Sequence, residues 1–269
     1  VVLDKYGIEQ AFLDQCDAPV IWIDHHEPQD VKNIIYINPL LEDKQPYPTS
    51  YWCYQIVKQD IWLAETGCIS DWQIVPDLHQ EALSLDLITE DHQRPQDYII
   101  KKKIGTLIKI LMFNLKGSSK DVYQSIKVLT RIDDPFDILE QRTPQGKFIY
   151  RRYRALQRTY NQLVKEITSK EYGKILLHTY DPDKTSITSY LSNEMLYRYP
   201  DKVIVIARHK DGEYKVSLRC SPPLNLQMIL HTILPQVDGY GGGHEQACGA
   251  CIKDYDWEHF LKLLEEHVQ

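Results

Sequence analysis

The sequence predicts a two-domain α/β protein: a parallel-sheet α/β/α domain, then a smaller α/β domain, joined by a basic helix. Three observations carry this expectation. The apolar runs Val1-Val2-Leu3 and Val20-Ile21-Trp22-Ile23 each end at an Asp with 16 residues between them, the rhythm of βαβ units in a parallel sheet. Residues 151–168 give one amphipathic pattern, with Leu156, Tyr160, Leu163 and Ile167 on one face and Arg151, Arg154 and Arg158 on another. Asp211-Gly212, between two strand-like runs, is a two-residue hairpin signal.

In chain order, residues 1–135 alternate short apolar strands with helical patterns, and Thr49 or Ser50 stands where a helix through Tyr54, Val57 and Ile61 needs its cap. Residues 136–172 form the linking helical region. Residues 173–269 form the second domain. It has a strand at 174–180, a helical segment at 185–196, strands at 202–210 and 213–221, and a helix at 224–234. The run Gly241-Gly242-Gly243 comes next, and Trp257, Phe260, Leu261, Leu264 and Val268 stripe a last helix.

Composition narrows the classes. With 269 residues, 43% hydrophobic and 26% charged, the chain has the make-up of an ordinary globular protein. No run of 18 apolar residues offers a membrane helix, and no charged-then-apolar N-terminal segment resembles a secretory signal. Six Cys is too sparse for a disulfide scaffold, so a reducing, cytoplasmic setting is expected. Val1 already lies inside an apolar run, so the natural beginning of the chain is expected upstream.

The net charge of −7 argues against wholesale coating of nucleic acid. The charge is uneven, however. Between Glu140 and Glu166 there is no acid but seven bases: Arg142, Lys147, Arg151, Arg152, Arg154, Arg158 and Lys165. The remainder holds 24 bases against 38 acids, a net −14. This is a local positive surface on an acidic protein.

Ligands of open parallel sheets bind at the carboxyl ends of the strands. Here one strand ends at Asp4 and another at Asp24-His25-His26, and a third acid, Asp71, comes after the small and apolar segment Thr66-Gly67-Cys68-Ile69-Ser70. Carboxylates with imidazoles suit a divalent cation, the imidazole shifting preference from Mg²⁺ towards Mn²⁺, Fe²⁺ or Zn²⁺. An Asp after a strand also caps the following helix, an alternative that stays open for Asp4. The triplet after four large apolar residues favours the metal reading. His244, Cys248 and Cys251 have a spacing that could seed zinc, but no fourth ligand is evident nearby and small buried cysteines explain them as well. Tyr47, Tyr51, Trp52 and Tyr54 have the composition to stack bases, with core packing the simpler use. Lys101-Lys102-Lys103 reads as a solvated face.

Ile23-Asp24-His25-His26-Glu27-Pro28 resembles the signature of the DHH phosphoesterases. Val2-Leu3-Asp4 with Gly7 resembles that family's preceding motif, and Thr66-Gly67-Cys68-Ile69-Ser70-Asp71 its later aspartate motif. Gly241-Gly242-Gly243-His244-Glu245-Gln246-Ala247-Cys248-Gly249 resembles the glycine-rich signature of the DHHA1 domain, and Val216-Ser217-Leu218-Arg219 the strand before it. Together these cover most of the chain in the family's order.

The resemblance implies a two-metal phosphoesterase. Asp4 would bridge the cations, and His25 and Asp71 would each bind one. Asp24 would orient an imidazole, and His26 would contact the phosphate. Gly241, Gly242 and Gly243, free to take positive φ, would cradle a phosphate or nucleotide together with the surface donors Arg219 and His244. Arg151, Arg154 and Arg158 would track a strand. The cofactor expected is Mn²⁺, two ions in the complete site, with Mg²⁺ an alternative. The reaction expected is hydrolysis of single-stranded DNA or short RNA, as in RecJ-like and oligoribonuclease-like relatives, with replication or repair proteins as partners. The alternatives are a cyclic or linear dinucleotide phosphodiesterase and a non-catalytic, Cdc45-like replication scaffold. One departure stands out. The family opens with a motif of two aspartates that supply further metal ligands, and nothing precedes Val1 here, so an upstream segment is expected.

Overall fold

A computed structural model describes residues 1–89, 94–180 and 186–268. The chain begins with β1 (Val2–Leu3), α1 (Gln10–Leu13), β2 (Val20–Ile23) and β3 (Ile34–Ile37). Helices come next: α2 (Thr49–Val57), α3 (Ile61–Ser70), α4 (Pro76–Ala82), α5 (Pro95–Lys101), α6 (Lys103–Asn114), α7 (Ser119–Leu129), α8 (Pro135–Leu139) and α9 (Pro144–Thr168). Then come β4 (Ile175–Tyr180), α10 (Thr188–Arg198), β5 (Val203–Lys210), β6 (Glu213–Arg219), α11 (Leu226–Ile233), β7 (Gly239–His244), β8 (Ala247–Lys253) and α12 (Trp257–His267). Two compact units result, Val1–Met112 with Lys127–Tyr150 and Phe113–Ile126 with Arg151–Gln269, so the boundaries fall inside α6, α7 and α9.

The first unit holds a parallel sheet in the order β1-β2-β3. Its centre is the β2 run, where Trp22 is fully buried and stacks on Tyr36 of β3 at 4.3 Å. Register decides which residues share the strand ends. Leu3 pairs with Ile23 and Ile23 with Ile37, so Asp4, Asp24 and Asn38 emerge together one residue later. The ladder extends into that row, with Asp4 N donating to the Ile23 carbonyl and Asp24 N to the Ile37 carbonyl, both at 3.0 Å. Beneath lies a helical core that includes Cys68 and Ile69 of α3, Leu78 of α4, Ile104 and Leu107 of α6 and Ile138 of α8, all essentially inaccessible.

The second unit is a mixed sheet in the order β4-β5-β6-β8-β7, with β4 and β5 parallel and the remaining pairs antiparallel. At the β5–β6 hairpin both Asp211 (φ 55°) and Gly212 (φ 75°) are left-handed, the backbone a tight two-residue hairpin requires. One face, through Val205, Leu218, Cys248 and Ile252, packs against α11 and α12, where Leu230 and Phe260 are buried. In α9, Tyr160, Leu163 and Ile167 are buried while Arg151, Arg154 and Arg158 are exposed. Among the described residues no helix is long and apolar enough to cross a membrane.

Several expectations need correction. Thr49 begins α2 but caps nothing. The residue before the helix is Pro48, and no side-chain cap is made. The segment 66–70 lies in helix α3, so Asp71 stands at a helix C-terminus instead of a strand end. Thr185, placed in the helical segment 185–196, lies outside the described residues, and the helix itself is Thr188–Arg198. The glycine run forms edge strand β7, in which Gly243 alone of the three has a left-handed φ (146°). Pairing with β8 takes up the backbone groups on that side, so the run is extended strand, with the expected positive φ at Gly243 alone.

Space around these glycines differs sharply. A Cβ at Gly241 would stand 2.5 Å from the Gly249 carbonyl oxygen and 2.9 Å from Ala250, whereas one at Gly242 meets nothing within 4 Å. Gly241→Ala is therefore expected to destabilise the second unit by about 1–3 kcal/mol, the cost typical of overpacking. Gly242→Ala should stay within about 1 kcal/mol, the gain in chain stiffness offsetting any loss. Urea unfolding of the two variants checks this, and equal midpoints would contradict it.

Candidate metal and phosphate sites

The first unit gathers the acids and imidazoles at the carboxyl end of its sheet. Asp4 takes a left-handed backbone (φ 54°), a conformation that costs a non-glycine residue on the order of 1 kcal/mol and is stored where the surroundings over-determine it. The Thr49 hydroxyl donates to Asp4 Oδ1 at 2.9 Å. His25 Nε2 lies 3.4 Å from Asp4 Oδ1 and 3.6 Å from Asp71 Oδ2. Donor atoms of Asp4, His25 and His26 all fall within 4.8 Å of one another. Behind His25, its Nδ1 faces the Pro46 carbonyl at 3.4 Å, which Gln73 also contacts at 3.3 Å. A carbonyl only accepts, so Nδ1 carries the proton and Nε2 is the nitrogen available for coordination.

Asp24 is wholly buried. Its carboxylate accepts from His26 Nδ1 at 2.8 Å and from the His26 backbone N–H at 3.2 Å, which turns the other ring nitrogen, Nε2, away from Asp24. Asn38, from the same strand-end row, donates to the His26 carbonyl at 2.8 Å. Both imidazoles are thus held from behind. A cleft of about 440 Å³, lined by Leu3, Asp4, Thr49, Cys53, Leu63 and Asp71 among others, opens beside the cluster.

Electrostatics reflect this crowding. The hydrogen bond with His25 holds the Asp4 carboxyl below its ordinary value, and the same bond raises His25 above the ordinary imidazole value. Burial raises Asp71, and repulsion from Asp4 adds to it while His25 opposes. Two carboxylates are thus drawn onto one imidazole. The spacing fits a cation: donors about 2.0–2.2 Å from a common tetrahedral ion lie roughly 3.3–3.6 Å apart. Asp4, His25 and His26 have donor atoms close enough to share one divalent ion, whereas Asp71 comes near His25 and stands outside that set. Among the described residues, no group of three such side chains away from this cluster is close enough to hold another. The zinc spacing fails for this reason and one more: Cys248 and Cys251, an odd number of residues apart on β8, face opposite sides of their strand.

In the second unit, Arg219 and His244 are both register partners of Ala247, so their side chains share one sheet face, two strands apart. The adjacent row on that face is Ser217, Gly249 and Gly242, an almost bare floor of backbone. Arg219 departs from its reading as a free surface donor. Its guanidinium donates to Asn193 Oδ1 at 2.6 Å, to Ser189 Oγ at 3.2 Å, and to the carbonyls of Leu218 and Cys248 at 2.8 and 3.2 Å. With these partners on both sides, its removal would disturb the sheet–α10 contact as well as a ligand. His244 is exposed at the end of β7. On α9, Arg152 pairs with Asp121 at 3.3 Å, and Arg151, Arg154 and Arg158 are exposed.

The residues missed by sequence reading are supporting ones. Thr49 was visible as a candidate helix cap, and its real acceptor lies 45 positions away. The roles of Asn38 and Gln73 depend on contacts that no local pattern encodes.

The architecture is that of a two-domain α/β protein with an acid–imidazole cluster at the end of a parallel sheet. Residues 173–269 match the DHHA1 domain family. RecJ in complex with Mn²⁺ from Thermus thermophilus is similar in structure, with a TM-score of 0.64 at 13% identity, over 96% of this chain and 42% of that one. The DHH domain of a protein assigned to a ribosomal-protein family gives 0.58 at 13% identity, over 96% of this chain and 65% of that one. The pGpG-specific phosphodiesterase PggH from Vibrio cholerae gives 0.50 at 12% identity, over 97% and 88%. No curated protein sequence matches the chain. This chain spans less than half the length of the Thermus thermophilus RecJ. Residues 173–269 thus match the DHHA1 domain, and the whole shares the two-domain fold of RecJ.

Two measurements test the metal site. Coordination needs His25 deprotonated at Nε2, and its proton is held more tightly than usual. Mn²⁺ affinity is therefore expected to weaken as pH falls through that raised value, above the ordinary 6.5. Calorimetric titration with Mn²⁺ over roughly pH 6–8 checks this, and a flat profile would contradict it. Thr49→Val should lower Mn²⁺ affinity by about 10-fold, as loss of a hydrogen bond that orients a ligand does, while Thr49→Ser retains it.

Proposed function

We propose that the protein is a divalent-metal-dependent phosphodiesterase acting on single-stranded DNA or short RNA. The observation that carries this is the convergence of Asp4, His25 and His26 at the strand ends, with ligand atoms within 4.8 Å of one another and Asp71 3.6 Å from His25. A bound Mn²⁺ or Mg²⁺ would polarise a phosphate oxygen and lower the pKa of a water at that position. Asp4 and His25 would hold such an ion, with Asp71 a ligand for a second. Asp24, buried and bonded to His26 Nδ1, keeps that ring oriented with Nε2 available to the phosphate. In the second unit, Arg219 and His244 beside the bare Gly242–Gly249 floor would be phosphate donors, and Arg151, Arg154 and Arg158 would supply further positive charge. RecJ crystallised with Mn²⁺ and with Mg²⁺ supports the choice of ion. The six free cysteines agree with a cytoplasmic setting, where replication or repair proteins would be the partners.

A second reading is a dinucleotide phosphodiesterase. It is favoured by coverage, since this chain matches 88% of the pGpG-specific enzyme's length but 42% of the Thermus thermophilus RecJ's and 74% of another RecJ's.

Hydrolysis of a short oligonucleotide in Mn²⁺ is the direct test, and His25→Ala is expected to abolish it. Salt dependence separates the two readings. A strand-tracking enzyme releases counterions at each phosphate, so its binding constant should fall with salt at a log–log slope of about −2 to −3, shallower when Arg151, Arg154 and Arg158 are changed to Gln. A slope near −1, about one phosphate's worth, that the triple change leaves alone would favour the dinucleotide reading.

A further inference from the structure

We propose that Tyr6 is a base-stacking residue of this site, so that its substrate is a nucleotide phosphodiester and not an inorganic polyphosphate; this rests on the phosphodiesterase reading above. The left-handed turn at Asp4 breaks the line of β1 and lays residues 4–8 against the segment after the Asp24-His25-His26 triplet. Gln29 fixes that placement. Its Oε1 accepts from Ile8 N at 3.1 Å, and its amide fills the space beside Gly7, where a Cβ would stand 2.7 Å away. The turn that brings the Asp4 carboxylate to His25 therefore also brings the Tyr6 ring to His26, edge-to-face at 5.5 Å and 79°.

Tyr6 makes little use of its ring within the fold. It is 68% exposed, on a loop otherwise held by side-chain hydrogen bonds. The aromatic cluster that the sequence offered for stacking is spent on packing. Tyr47, Tyr51 and Trp52 contact one another edge-on at 5.1 Å, the Trp52 indole donates to the Tyr47 carbonyl, and the Tyr51 hydroxyl donates to Asp77. Tyr6 instead presents a ring beside the imidazole that would meet the phosphate, one sugar away from where that phosphate's base would lie. An aromatic face there takes any base, because every base has a π-face, and takes nothing from a bare phosphate chain.

The test is equilibrium binding of a phosphorothioate trinucleotide, which resists hydrolysis, and of the same backbone without bases, to the full chain in Mn²⁺. Wild type should bind the base-bearing strand more tightly. Tyr6→Leu should weaken that binding by about 10-fold, the scale of one stacked base, and leave the abasic strand within about twofold. Tyr6→Phe should bind both like wild type. An unchanged melting temperature shows that the variants fold, as the exposed position allows. Equal binding of the base-bearing strand by wild type and Tyr6→Leu overturns the role of Tyr6 while leaving the phosphodiesterase reading standing. Loss in Tyr6→Phe equal to that in Tyr6→Leu overturns stacking in favour of a hydroxyl contact. Failure of wild type to bind either strand overturns both readings.

Discussion

An imidazole held between two carboxylates is the constraint on which the first unit turns. Asp4 and Asp71 would repel each other if brought together alone, and the fold brings them together through His25, whose Nε2 lies 3.4 and 3.6 Å from them. The arrangement is expensive to assemble. It takes a left-handed aspartate, a buried Asp24 and a ring fixed by a backbone carbonyl. Structural ion pairs rarely need so many supports, whereas a ligand set has to be organised before its ion arrives. The parallel register supplies that order by delivering Asp4, Asp24 and Asn38 in one row.

Much of this was legible in the sequence because it obeys local rules. Four large apolar residues ending at Asp24 can hardly be anything but a buried strand with a polar end. Asp211-Gly212 encodes its own turn, and the arginines of α9 fall at helical spacing. What escaped has a physical explanation in each case. The segment 66–70 is small and apolar, a composition shared by buried strands and buried helices, and only its packing in α3 decides between them. Thr49 has the chemistry of a cap, but its hydroxyl accepts from no N–H of its own helix and donates instead to Asp4. Three glycines in a row read as a cradle free to take positive φ, because glycine alone adopts it without cost. They form a strand here because β8 lies close enough to exclude any side chain at Gly241.

The second unit shows a different economy. One face of its sheet is filled by α11 and α12, and on the other the side chains thin out towards β7, ending in Gly249 and Gly242. Arg219 marks the transition. It is tied to α10 through Ser189 and Asn193 on one side and to the sheet carbonyls on the other, so its charge is placed by the fold before any ligand is present. Burial draws its pKa down from the usual guanidinium value, yet it stays charged at any physiological pH.

Strand β7 is the outermost of its sheet, and three of its consecutive residues have no side chain to pack. Glycine gives up more chain freedom on ordering than any other residue, about 0.5–1 kcal/mol beyond alanine at each position. Within its sheet the strand is held on one side alone, by β8. By these costs its local opening free energy is expected to be lower than that of the central strands β5, β6 and β8, so that it would fray first. A ligand seated there would freeze that fraying, giving binding an enthalpic gain offset by lost chain entropy and an affinity that weakens on warming.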